Sequence, residues 1–102
     1  MVIHLQTLDF TADKQLDAYV REKVSKLSHF FERIESAEVC LKLEPSATKD
    51  NKVCEIRLIV PGNDLFAKRN AESFELAAVE TVEALEMQIR KMKTKFENAK
   101  KE

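Results

Sequence analysis

Along residues 2–8, VIHLQTL, the apolar residues Ile3 and Leu5 alternate with the polar residues His4 and Gln6, the period-two pattern of a strand with one buried face. The period then lengthens. Leu16, Val20, Val24, Leu27 and Phe31 recur every three or four positions. They follow Thr11, a good N-cap with Asp13 in the first turn, and predict an amphipathic helix of roughly five turns ending near Arg33. AEVCLKL (37–43) and KVCEIRLIV (52–60) read as strands joined by the polar loop EPSATKDN. Pro61-Gly62-Asn63-Asp64 is a turn by composition and leads into a fourth strand, LFAKR, at 65–69. From an N-cap at Ser73 or Asn70, the residues Phe74, Ala78, Val82, Leu85, Ile89, Met92 and Phe96 form one stripe at helical spacing. That helix runs for about 25 residues, roughly 38 Å, whereas a strand of this size covers only about 23 Å. Its C-terminal turns should overhang the sheet.

The order β-α-β-β-β-α predicts an α+β fold with two helices on one face of a four-stranded sheet. If the first helix crosses over between parallel strands and hairpins join the later strands, both helices run in the same direction. Lys23, Lys26 and Arg33, near the end of the first helix, then share a neighbourhood with Arg90, Lys91, Lys93 and Lys95 near the end of the second.

A chain of 102 residues with a 44% apolar fraction, one Gly and two Pro leaves little room for linkers, so 1–102 is expected to be one domain. The N-terminus shows no basic region followed by an apolar run, and no stretch approaches the length of a membrane span. A cytoplasmic protein without a targeting segment is the expectation. Cys40 and Cys54 are too few for a disulfide scaffold and are not in a C-x-x-C arrangement. They read as small apolar strand residues, and no metal or other cofactor is expected. His4 and His29 sit on separate elements without a paired nucleophile, which argues against catalysis, as does the lack of a glycine-rich phosphate loop.

The formal net charge of -1 conceals a segregation along the chain. Residues 1–89 hold 11 Lys or Arg against 16 Asp or Glu, and residues 90–102 hold six against two. Because salt screens exposed charges beyond about 8 Å, a partner responds to the local patch. Helix dipoles favour acids at N-termini and bases at C-termini, but only within a terminal turn. Here Glu72, Glu75, Glu80, Glu83 and Glu86 precede Arg90, Lys91, Lys93 and Lys95 through the whole helix. At about 100° per residue, Lys91, Lys95 and Gln88 fall on one flank, Arg90 near the crown and Lys93 on the other flank. Lys23 and Lys26 lie on the equivalent flank of the first helix. The sequence does not say which flank faces the neighbouring helix. Flexible cations around one end of two helices suit a phosphate backbone, and about five phosphate contacts imply a roughly 10^2 to 10^3-fold loss of affinity between 50 and 200 mM salt.

VREKVSKLSHFFERIESAEVCLKLE (20–44) and SFELAAVETVEALEMQIRKMKTKF (73–96) resemble the ribosome hibernation promoting factors, also called ribosome-associated inhibitors and sigma-54 modulation proteins. The likeness rests on Lys23-x-x-Lys26-Leu27, Phe31-x-Arg33-Ile34 and Leu85-x-x-Gln88-Ile89-x-Lys91-x-Lys93-x-Lys95. It implies the short form, without the long form's C-terminal domain, and a fold related to double-stranded RNA-binding domains. It also implies binding to the small ribosomal subunit and 16S ribosomal RNA in the decoding channel, reversibly blocking tRNA and mRNA. The positions that match the family's basic surface are Lys23, Lys26, Arg33, Gln88, Lys91, Lys93 and Lys95, with Arg90 beside them. Two departures stand out. Where the family commonly has basic residues, this chain has Ala84 and Met87, with Glu86 between them. The alternative expectation is a protein-interaction module of the same fold with weak RNA affinity, using the open sheet face or the edge of the first strand. No membrane or small-molecule partner is expected under either reading.

Overall fold

The computed structural model describes residues 1–100, with side chains described as far as Thr94. Five of the six elements follow the hydrophobic pattern within a residue or two: β1 (Val2–Leu8), β2 (Ser36–Leu43), β3 (Lys52–Ile59), β4 (Leu65–Ala71) and α2 (Phe74–Lys100). The sixth, α1 (Lys14–Ser25), is shorter than its periodicity predicts. It starts at Lys14 because Asp13, not Thr11, caps it, its carboxylate accepting the Leu16 N–H at 2.8 Å. It ends early because the Ser25 and Ser28 hydroxyls donate to the Glu22 and Ser25 carbonyls, competing with the backbone donors that would continue the helix. The chain tightens into a 3-10 turn at Lys26–His29, where the Phe30 and Phe31 amides both reach the Leu27 carbonyl. Arg33, expected near the helix end, lies exposed in the turn that follows.

The sheet order is β1-β2-β3-β4, with β1 parallel to β2 and the remaining pairs antiparallel. Both helices run opposite to the strands that precede them, and therefore parallel to each other. Gly62, at φ 93°, makes the β3–β4 turn in a conformation that favours glycine. Ser73 caps α2, accepting the Leu76 N–H at 3.1 Å, so Asn70 remains in β4.

One sheet face is dry. Ala37, Val39 and Leu41 of β2 stand beside Leu58, Ile56 and Cys54 of β3, and Val20, Val24, Leu27, Leu85 and Ile89 from the helices close over them. Phe10 stacks on Phe74 at 4.4 Å between ring centroids, sealing the end where α2 begins. Each strand alternates inward and outward residues, so Cys54 is buried while Cys40 of the adjacent strand is on the opposite face. Burial pushes the Cys54 thiol up to about 12. Met92 is half-buried along the α2 stripe and Met87 is exposed, as their spacing predicts.

The fully buried Thr81 is the polar residue of this core among the described residues. Its hydroxyl lies 2.7 Å from the Ala77 carbonyl and 3.2 Å from that of Cys54, linking α2 to β3. Thr81→Val keeps the shape and removes the donor. Urea unfolding should show a loss of about 1–2 kcal/mol with an unchanged denaturant slope.

Candidate nucleic-acid interface

The helices divide the two flanks of α2 between different neighbours. On one flank, Gln88 Nε2 donates to the Phe66 carbonyl of the edge strand β4 at 2.8 Å. On the other, Lys93 Nζ donates to the Phe30 carbonyl at 3.0 Å, and the Arg90 guanidinium sits 5.7 Å from the centre of the Phe30 ring. The Lys93 flank therefore faces the end of α1, and the Gln88 flank faces away from it.

A matching pair of contacts orients α1. Arg21 donates to the Ile3 carbonyl of β1 at 3.1 Å and pairs with Asp17 at 2.7 Å, so this side of α1 lies over the outer edge of the sheet. Lys23 is two positions further on, about 200° around the helix, and so points toward α2. Its ammonium lies 5.2 Å from the centre of the Tyr19 ring on the same side. Lys26 is exposed at the start of the 3-10 turn, 4.0 Å from Glu22.

The groove between the helix ends thus gathers Lys23, Lys26, Arg90 and Lys93. Lys91 is exposed one turn beyond Gln88 and shares its outward flank over β4, so it does not join Lys23 and Lys26. The reason is geometric: in parallel helices, equivalent flanks point in the same direction, so the α1 flank that faces α2 corresponds to the α2 flank that faces outward. Lys95 falls outside the residues with described side chains, and Arg33 stands exposed beyond the end of α1. Phe30 was not singled out by sequence. Its neighbour Phe31 carries the helical period, and nothing in the spacing marks Phe30 as the contact point for two cations.

The opposite sheet face is electrically mixed. A shallow groove of about 780 Å³ crosses it, lined among others by His4, Gln6, Glu38, Glu55, Arg57 and Phe66. Lys42 meets Glu55 at 2.9 Å, and Lys68 meets Glu44 at 2.9 Å. The hydrogen bond from Lys68, with the charges of Lys68 and Lys42, holds the Glu44 carboxyl below its usual range. The bond to Glu55 raises the Lys42 ammonium pKa. A depressed carboxyl stabilises the fold above its unfolded pKa, and that contribution is lost as pH falls through the folded value. NMR titration should place the Glu44 midpoint below 4.5, and Lys68→Met should raise it. On this face Lys42 and Lys68 are thus each paired with a carboxylate.

The model of the family described as sigma 54 modulation protein / S30EA ribosomal protein matches residues 3–97. A ribosome hibernation promotion factor of Deinococcus radiodurans is 31% identical over 86 residues, covering 82% of this chain and 44% of that protein. The chain thus spans about half the length of the curated relative it matches. Among solved structures, a ribosomal subunit interface protein from Coxiella burnetii superposes with a TM-score of 0.81 at 16% identity, over 92% of this chain and 99% of that one. The N-terminal domain of Thermus thermophilus protein Y gives 0.77 at 22% identity, over 90% and 99%. At these identities the two structures speak for a shared fold.

Proposed function

The chain belongs to the sigma 54 modulation protein / S30EA ribosomal protein family, and on that premise we propose that it is a ribosome-associated hibernation factor. In this reading residues 1–102 act as one ribosome-binding domain in the cytoplasm. The domain occupies the small subunit against 16S ribosomal RNA in the decoding channel and excludes tRNA and mRNA. The mechanism is occupancy, with no bond made or broken.

The observation that carries the reading is the convergence of Lys23, Lys26, Arg90 and Lys93 on one inter-helix groove. Backbone and aromatic contacts at Phe30 orient the last two. Lysines meet phosphates as mobile point charges, whereas Arg90 presents a planar fork suited to two phosphate oxygens. Such a surface neutralises a backbone without reading bases. It therefore suits RNA held in a fixed tertiary shape, where specificity comes from fit. Arg33 is a further exposed cation beyond the end of α1, Lys91 stands on the outward flank, and Gln88 braces α2 against β4.

Cosedimentation with purified small subunits across a salt series tests the proposal. Binding should be present at 50 mM salt and fall by roughly 10^2-fold by 200 mM, the dependence expected for about four phosphate contacts. Protein that stays in the supernatant at low salt would overturn the proposal.

A further inference from the structure

The groove contains its own anions. Glu86 lies one turn before Arg90, and its carboxylate oxygen is 2.7 Å from Arg90 Nη2. The two differ in shelter: the Glu86 side chain is 27% exposed and that of Arg90 is 68% exposed. The carboxylate is tucked against the helix surface with the guanidinium above it. Arg90 is further restrained by the Phe30 ring below it. Glu22 stands toward Lys26 in the same sense, but at 4.0 Å and 66% exposure it is a looser partner. Glu83, the preceding carboxylate on α2, is exposed on the crown and has no ion-pair partner among the described residues.

A carboxylate and a phosphate present the same chemistry to a guanidinium: paired anionic oxygens accepting charge-assisted hydrogen bonds. From this we propose that Glu86 is an affinity-limiting residue, an internal competitor that occupies Arg90 and must share or release it when a phosphate arrives. The inference rests on the ribosomal reading above and adds a control on the strength of that contact. Its sign is what makes it distinctive. If the pair only braced the helix, removing the carboxylate would leave binding unchanged or weaken it. A competitor, once removed, gives tighter binding. With Glu86 in place, the groove delivers less net charge to RNA than its four cations suggest, which favours a reversible, salt-sensitive complex.

The test measures small-subunit affinity at 50, 100 and 200 mM salt for the wild type, Glu86→Gln, Glu83→Gln, Arg90→Gln and the Glu86→Gln, Arg90→Gln double variant. Freeing one cation adds about one phosphate contact. Glu86→Gln should therefore bind up to roughly tenfold more tightly near 0.1 M salt, with a salt slope steeper by just under one. Glu83→Gln removes the same charge away from Arg90 and should change affinity far less. In the Arg90→Gln background the gain should vanish, because the competitor acts through that guanidinium. An equal gain from Glu83→Gln would reduce the effect to overall charge and overturn the proposal. So would a gain that persists without Arg90, or no gain at all from Glu86→Gln. Failure of the wild type and every variant to bind overturns the ribosomal reading itself, a result distinct from binding that ignores Glu86.

Discussion

Reversing the four groove cations together, Lys23→Glu, Lys26→Glu, Arg90→Glu and Lys93→Glu, is expected to lower small-subunit affinity by at least about 10^2-fold at 50 mM salt. It should also flatten the salt dependence. None of the four is buried, so the core beneath them is untouched and the melting profile should stay close to wild type. The effect is large because each reversal removes one neutralised phosphate and adds a repulsion at the same place. A matched control uses the outward flank: Lys91→Glu with Gln88→Glu should cost much less affinity. If the outward pair does as much damage as the groove set, then the RNA lies over β4 rather than between the helices.

The second large effect is on stability. Leu27 is fully buried in the 3-10 turn at the end of α1, and its carbonyl receives the amides of both Phe30 and Phe31. Leu27→Ala leaves a cavity where α1, α2 and the sheet meet. It should cost about 2–5 kcal/mol, read as a lower urea midpoint at constant slope. Because Leu27 also fixes the turn that carries Phe30, the variant should loosen the anchor of Arg90 and Lys93. Folded Leu27→Ala protein should then bind small subunits less tightly, though much less weakened than the charge-reversed protein. A loss below about 1 kcal/mol would mean that the turn collapses onto the gap and is not a rigid support.

The elements themselves were legible because each has one buried face. Alternation in VIHLQTL marked the inward Ile3 and Leu5, and the α2 stripe from Phe74 to Ile89 identified the side that meets the sheet. The first helix was less readable at its ends. Its apolar period continues through Leu27 and Phe31, although the backbone changes from α to 3-10 at Lys26. A single 3-10 turn of four residues keeps the hydrophobic stripe nearly in line, so periodicity does not reveal where the hydrogen bonding changes. Asp13 is the cap because its carboxylate takes the Leu16 amide three residues on; a Thr11 cap would start the helix two residues earlier, and composition permits both.

The candidate site shows the same division. By itself, the sequence determined which residues are cationic, that they cluster near two helix ends, and that a β-α-β-β-β-α order makes those ends neighbours. It also determined the family, through residues spread over nearly the whole chain. Tertiary structure alone decided which cations meet. A helical wheel places Lys91 and Lys93 on opposite flanks but carries no information about what lies beside each flank. That depends on the strand order and on the face the helices cover, both set by long-range pairing. Once α2 lies over β3 and β4 with α1 beside it, Lys93 and Arg90 turn toward Lys23 and Lys26, and Lys91 turns away.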